Sequence, residues 1–524
     1  MHGAFATNQR LTKHAVCTKR GVVSAQNRKA AAVGAYILAE GGNAIDAAIA
    51  ASLALGACEP WMSGLGGGGV LLHLDGETGK VTAFDFGMIA SRQLDTADYP
   101  VIDGRANDLF PWAAVKDDRN VSGPLSMAVP GYLDGIALAC DRLGTMPFAS
   151  LVRPAIALAV QGLEIDWFTS LLVTTAAQDL RRFPTSAARF LPGGLPPVPA
   201  ASGETSFLGL DRLPDTLQMI ASEGPRGFYE GELATMLARD LAAVGSPISA
   251  DDLARYRART VEPLTFSYGD AMVHAMPGLY AGSTLQHALS LMAEHRFDGD
   301  WPNENAFLTY VASLKQAYAT RLATMGDTGD GPGRSCTSHL TVVDAKGDMV
   351  CLTQTLLSLF GSRVVLPETG ILMNNGIMWF DPEPGRPNSI AAGKRPLSNM
   401  CPAIAENEAV RLAIGASGGR RILPAVTQIL SFVLDYHMSL EEAFAQPRVD
   451  VSGDDLVTVS ADLWSPIPET LAAHHPTRIV QARVYPNSYA CPVAVLRDKV
   501  DNHHYGTAEV INPWADAVPE PANE

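Results

Sequence analysis

Residues 325–336, MGDTGDGPGRSC, carry neither helical nor strand periodicity, yet they stand between two segments with clear patterns. Before them, Phe307, Tyr310, Val311, Leu314 and Tyr318 recur at the spacing of one helix face. After them, SHLTVVD and MVCLTQT read as two strands joined by the turn AKG. The chain must therefore bury a helix on one side of a glycine-rich break and a hairpin on the other. Folding the hairpin about Lys346 sets Thr355 opposite Thr337, so two hydroxyls meet at its open end. A slip of one residue in the turn still leaves them close. Taken alone the pair calls for no chemistry, because Thr–Thr cross-strand pairs are common in sheets.

Composition excludes several classes of function. The 39 Lys+Arg against 55 Asp+Glu leave a formal charge of −16 over 524 residues, and a nucleic-acid binder would instead need a basic stripe to displace phosphate counterions. With 47% hydrophobic and 18% charged residues the chain can bury a large core. The most apolar stretch, Ala44 to Cys58, is interrupted by Asp46 and stops at Glu59-Pro60, well short of the roughly 20 residues of a bilayer span. No membrane partner is expected, and an N-terminus without a signal-like apolar run points to the cytoplasm. Seven cysteines without CxxC spacing suit a reducing compartment and give no structural zinc. Helices are expected over 29–40, 43–57, 150–162 and 212–222, a strand over 81–86 and loop over 184–206. Blocks of both kinds predict layered α/β or α+β packing.

Two glycine-rich motifs invite chemistry. SGLGGGGV, residues 63–70, resembles a phosphate cradle but lacks the Lys-Ser/Thr of a P-loop and runs into a strand-like VLLHL, so close backbone packing is the better reading. Gly415-Ala-Ser417-Gly-Gly419 satisfies GxSxG between a strand pattern and a helix pattern, the context of a serine nucleophile elbow. Asp435, Asp450, His474, His475, His503 and His504 follow it in the Ser, Asp, His order. The same Gly-Gly pair could instead offer two backbone N–H groups as an oxyanion hole for a nucleophile from elsewhere. His339 and the two histidine pairs form no metal-ligand set, so no metal or other cofactor is expected. The basic residues of GKR (393–395) and RR (420–421) either face an acidic substrate or are structural.

Several segments together resemble the γ-glutamyltransferase family of N-terminal-nucleophile (Ntn) hydrolases. They are GGNAIDAAIAASLALGACEP (41–60), SGLGGGG (63–69), MAVPGYLDG (127–135), LVRPAIALAVQGLEI (151–165), DDLARYRARTVEPL (251–264), TSHLTVVDAKGDMVCLTQT (337–355), TGILMNNG (369–376), GKRPLSNMCP (393–402) and GASGGRRI (415–422). The resemblance implies an α+β fold, an αββα four-layer sandwich built by both chains of a precursor that cuts itself between Cys336 and Thr337. Residues 1–336 would form the large subunit and 337–524 the small one, with further oligomerisation open. Thr337 would be the nucleophile, activated by the α-amine that cleavage creates, whose unperturbed pKa is about 7.7–8.0. Thr355 matches the family's second threonine, and Gly418 and Gly419 its oxyanion-hole glycines.

The implied substrate pocket departs from the family pattern. Gly87 stands where the family carries an Arg for the substrate α-carboxylate, and Leu357 where it carries an Asn. Gly376 and Trp379 align with the family's Gln and Asp, while Ser398 is kept and Asn399 replaces a second Ser. Losing the Arg and the Asp removes both charged anchors, each worth ~1.5–3 kcal/mol. The expectation is an amidohydrolase or acyltransferase for a small acyl-amide other than a typical γ-glutamyl compound. Alternatives are a glutathione hydrolase anchoring through Arg395, Arg420 or Asn399, a non-catalytic pseudoenzyme, and a Ser417 hydrolase.

Overall fold

Two antiparallel sheets of seven strands each organise the chain. The computed structural model describes residues 11–105, 112–325, 336–451, 455–485 and 487–522. The glycine-rich residues 326–335 lie outside that set. At the centre of the first sheet is the hairpin Cys336–Val343 and Met349–Leu357, with Val22–Ala25 beside its first strand and Gly68–Leu74, then Val81–Phe86, beside its second. The second sheet centres on Val410–Ser417, between Ala403–Glu406 and Cys491–Asp498. Segments from both sides of residue 336 thus contribute strands to each sheet.

Helices cover one face of each sheet. Arg28–Ala39 and Ala44–Cys58 lie on the first, and their core takes Leu340, Val342, Val350 and Leu352 from the hairpin. The even positions of the first hairpin strand point this way because side chains alternate along a strand. Gly282–Met292, Glu304–Met325 and Ile422–Leu434 pack against the second sheet around Val273, Leu412 and Ile414. A third cluster, with Val343, Cys351, Ile404, Ala413 and Val495, fills the space between the sheets. The face of Phe307, Tyr310, Val311, Leu314 and Tyr318 is buried as its spacing predicts.

Ala44–Cys58 is apolar on every side because it has no solvent face: one helix lies beside it, Phe148–Gln161 crosses it and the hairpin lies below. Its one acid, Asp46, closes a capping box with Asn43 and accepts the Thr145 hydroxyl at 2.5 Å, so the charge sits on the positive end of the helix. No described helix is long and apolar enough to cross a membrane. The expected loop 184–206 is instead partly ordered. Pro184–Phe190 forms a helix with proline in its first turn, and Ser206–Leu208 pairs with Leu163–Ile165. Seven residues are too few for periodicity to reveal. Tertiary bonds hold them: the Ser186 hydroxyl donates to the Arg363 carbonyl at 2.7 Å, and Arg189 Nη1 donates to the Gly370 carbonyl at 2.8 Å.

Candidate active site

The hairpin keeps the register centred on Lys346 from Val343–Met349 out to Ser338–Gln354, and then shifts so that Cys336 faces Leu357. Thr355 and Leu356 therefore stand against the single residue Thr337, a bulge that turns the strand end. Within it the Thr337 hydroxyl donates to Thr355 Oγ1 at 3.3 Å, long for a hydroxyl pair, as resting-state contacts often are. Thr355 Oγ1 also accepts the Leu357 N–H at 2.8 Å. Leu357 has φ +85°, a region costly for a non-glycine residue, so the corner is held by its surroundings. Both threonines are buried.

Two residues along the same face, His339 is fully buried, and its Nδ1 pairs with the Thr353 hydroxyl at 2.7 Å. Burial pushes its pKa down to about 3, so the imidazole is neutral near pH 7. The ring bears on Gly415 of the second sheet, where a Cβ would come within 2.2 Å of it. Gly415 is thus the slot for His339, and this contact ties the threonine hairpin to the strand that leads into the Gly-Gly turn.

That strand ends at Ser417. Gly418 follows with φ +133° and Gly419 with φ +61°, before helix Ile422–Leu434 begins. A Cβ on Gly418 would lie 2.8 Å from Ala490 Cα, so the turn needs glycine for conformation and for space. Ser417 is buried in register with Cys491, and among the described residues no histidine hydrogen-bonds to it. Asp435 accepts from Ser431 and Tyr268, His474 pairs with the Thr470 carbonyl and His504 with that of Arg20. The Ser, Asp, His order of the sequence is therefore not gathered into a triad. No described cluster of His, Cys, Asp and Glu could hold a metal ion.

A cavity of about 330 Å³ opens beside the end of Val81–Phe86. Four of the six residues expected in a substrate pocket line it: Gly87, Trp379, Arg395 and Ser398. Gly376 lies one layer back, its missing side chain replaced by Met88 Sδ at 2.9 Å from where its Cβ would be. Asn399 is partly buried and does not line this cavity. Its neighbour Ser398, alternating to the opposite side, takes that place. Arg420 is also elsewhere, with its guanidinium over the Tyr318 ring at 5.8 Å.

Gly87 has no room for the side chain it lacks. A Cβ there would lie 2.6 Å from the Tyr280 hydroxyl and 3.5 Å from Arg395 Nη1. Both of those groups converge on Asp85, which Arg259 and the Gly87 N–H also reach. Burial works to raise the Asp85 carboxyl, but Arg395, Tyr280, Arg259 and the Gly87 amide together hold it below its ordinary value. Arg395 Nη1 donates as well to the Gly87 carbonyl at 2.7 Å. The cavity's main cation is thus tied to its wall.

The tract 66–69 is packing, as its sequence context suggests. A Cβ on Gly66, Gly67 or Gly69 would meet a backbone carbonyl oxygen at 2.3–2.4 Å, those of Leu372, Thr355 and Thr353. Sequence reasoning missed Asp85, Met88 and Tyr280. An acid inside the otherwise apolar VTAFDF was the available signal for Asp85; nothing local marks Met88.

Comparison with known proteins follows the same lines. The family described as Gamma-glutamyltranspeptidase matches residues 30–332 and 328–475. The "Acylase ACY 1 proenzyme" of Pseudomonas sp. (strain SE83) is 34% identical over 490 residues, covering 86% of this chain and 85% of that protein. The "Glutathione hydrolase proenzyme" of Escherichia coli (strain K12) is 31% identical over 487 residues, covering 83% and 81%. Among solved structures, cephalosporin acylase from Bacillus halodurans superposes with a TM-score of 0.85 over the whole of both chains at 22% identity, a likeness of fold.

Proposed function

The chain belongs to the gamma-glutamyltranspeptidase family, and from that premise we propose that it is a self-processing threonine-nucleophile amidohydrolase acting on a small acyl-amide. Membership makes it a hydrolase or acyltransferase. The finer reading takes the two helix-covered sheets as the αββα sandwich of the Ntn hydrolases, shared by chains 1–336 and 337–524. The observation that carries it is the Thr337–Thr355 hydroxyl contact at the bulged end of the hairpin. The word "proenzyme" in the names of both relatives supports the processing step.

Chemistry supplies the order of events. In the precursor, Thr337 Oγ1 attacks the Cys336 carbonyl carbon, the peptide C–N bond breaks, and water hydrolyses the resulting ester. The Thr337 α-amine is then free to act as base for its own hydroxyl. In the mature enzyme Oγ1 attacks the substrate amide carbon, and the developing oxyanion takes N–H donors from Gly418 and Gly419. One such donor is worth ~2.7–4 kcal/mol of barrier. The proton gathered by the α-amine leaves with the departing amine, and water or an acceptor amine releases the acyl group. Thr355, fixed by the Leu357 N–H, holds the hydroxyl in line.

The altered anchors argue against γ-glutamyl substrates. Where an Arg would reach the α-carboxylate, Tyr280 fills the space, and Asp85 engages the nearby Arg395. Denaturing electrophoresis tests the first claim: the purified protein should run as two chains and Thr337→Ala as one. A wild-type protein that stays a single chain sinks the mechanism. Turnover of γ-glutamyl-p-nitroanilide equal to that of small-acyl anilides would sink the specificity claim.

A further inference from the structure

Met88 is fully buried and forms part of the cavity wall. Its Cγ lies 2.9 Å from where a Cβ of Gly68 would be, and its Sδ 2.9 Å from that of Gly376. Gly68 pairs in register with Thr355. Met88 therefore stands between the cavity and the end of the hairpin that carries the two hydroxyls. An acyl group with its carbonyl at Thr337 and its chain in the cavity would run past this side chain.

Past Met88 the wall is Trp379, Leu279, Met400 and Val261, with Ser398 as a small hydroxyl. The charged groups at its rim satisfy one another. Asp85 Oδ1 receives Arg395, Tyr280 and the Gly87 amide, and Oδ2 receives Arg259. Arg395 Nη1 is spent on Asp85 and the Gly87 carbonyl, and its guanidinium lies over the Tyr256 ring at 5.6 Å. A substrate group that competed for Asp85 or for Nη1 of Arg395 would have to break these contacts, and a buried group robbed of its partner is costly. An uncharged chain leaves them intact and gains apolar contact.

We infer that the cavity takes the uncharged, unbranched acyl group of an aliphatic amide, and that Met88 is the specificity-determining residue which narrows its entrance. The inference rests on Thr337 being the nucleophile, so the test separates the two. Processed wild-type protein is assayed on p-nitroanilides of hexanoic, isovaleric, valeric and glutaric acids and on γ-glutamyl-p-nitroanilide. The linear uncharged acyl groups are expected to exceed the glutaryl and γ-glutamyl compounds in kcat/KM by tenfold or more. Valeryl and isovaleryl are isomers that differ only in branching, so a narrowed entrance should favour valeryl by about tenfold, the lower end of what a small misfit in an apolar pocket is worth. In Met88→Ala that ratio should fall toward one, while in Met88→Leu, which conserves volume, it should stay within about threefold of wild type.

A ratio unchanged in Met88→Ala overturns the role of Met88. Should Met88→Ala fail to fold, a Met88→Leu ratio equal to one overturns it in the same way. Glutaryl or γ-glutamyl turnover equal to hexanoyl overturns the uncharged acyl class, as does processed protein that cleaves none of the linear anilides. A protein that never processes, or anilide turnover that survives in Thr337→Ala, instead overturns the nucleophile on which the inference stands.

Discussion

Two glycine clusters border the candidate active site, and they are glycine-rich for different reasons. In 66–69 the backbone of the neighbouring chain lies where side chains would be, with carbonyl oxygens 2.3–2.4 Å from three of the missing Cβ atoms. At 418–419 conformation is added to space, with φ +133° and +61° where a strand turns into a helix. The first cluster lets the strand Gly68–Leu74 close against the threonine hairpin. The second joins a strand to a helix, and the proposed mechanism takes its amides as the oxyanion donors. Composition alone cannot tell packing glycine from turning glycine.

The largest test of that contrast is Gly67→Ala. Its Cβ would meet the Thr355 carbonyl, which is backbone and cannot swing aside. Overpacking of this kind costs ~1–3 kcal/mol or more, and the variant should lose soluble yield and show a lowered Tm. Gly418→Ala should act on rate: forced out of its positive φ, the turn should lose one aligned donor and kcat should fall ~10²–10³-fold, with KM changed far less. If Gly67→Ala kept full thermal stability, or Gly418→Ala kept full kcat, the division between the clusters would collapse.

Gly415 sharpens the comparison from within the second motif, because it behaves like a member of the first. Gly415→Ala drives a methyl into the His339 ring. It should destabilise by ~1–3 kcal/mol, and His339→Ala in the same chain should recover a part, a non-additive double-mutant cycle. Additive losses in denaturant unfolding would refute the slot.

The smallest effect is on pH dependence. The folded protein holds the His339 pKa at about 3, well below the 6.5 of a free imidazole. As pH falls below about 6.5 the unfolded chain gains a proton that the folded chain refuses. Stability is thus full above that value, declines toward pH 3 and is level below it. Between pH 6.5 and 5.5 the decline attributable to this group is about 1 kcal/mol, and below that it steepens to ~1.4 kcal/mol per pH unit until the folded pKa is approached. His339→Gln should flatten that slope, and an unchanged slope would show that the ring is not shielded.

Much of this was legible locally. The hairpin register could be read because alternation on both strands and a short turn fix it, and both threonines came from that arithmetic. The buried helix Ala44–Cys58 and the face of Phe307 to Tyr318 were plain from their patterns. The bulge at Thr355–Leu356 was not, since it depends on the corner at Leu357. The helix Pro184–Phe190 was hidden because side-chain bonds to Arg363 and Gly370, more than a hundred residues away, decide it. In the pocket, Gly87 was seen as an absence, whereas the groups that occupy its space, Tyr280 and Arg395, came from two other segments. That Ser398 rather than Asn399 lines the cavity was not legible either, because which of two neighbours points to it is set by the fold.

By itself, then, the sequence determined the family, the hairpin with its facing hydroxyls, and the missing charged anchors, since each is written in contiguous residues or in their order. The tertiary structure alone decided which glycines are for packing, that no histidine reaches Ser417 among the described residues, and that Asp85, Tyr280 and Arg395 contact one another beside Met88 in the cavity wall. Those are contacts among side chains distant in the chain, and no local pattern encodes a contact whose partners are brought together only by folding.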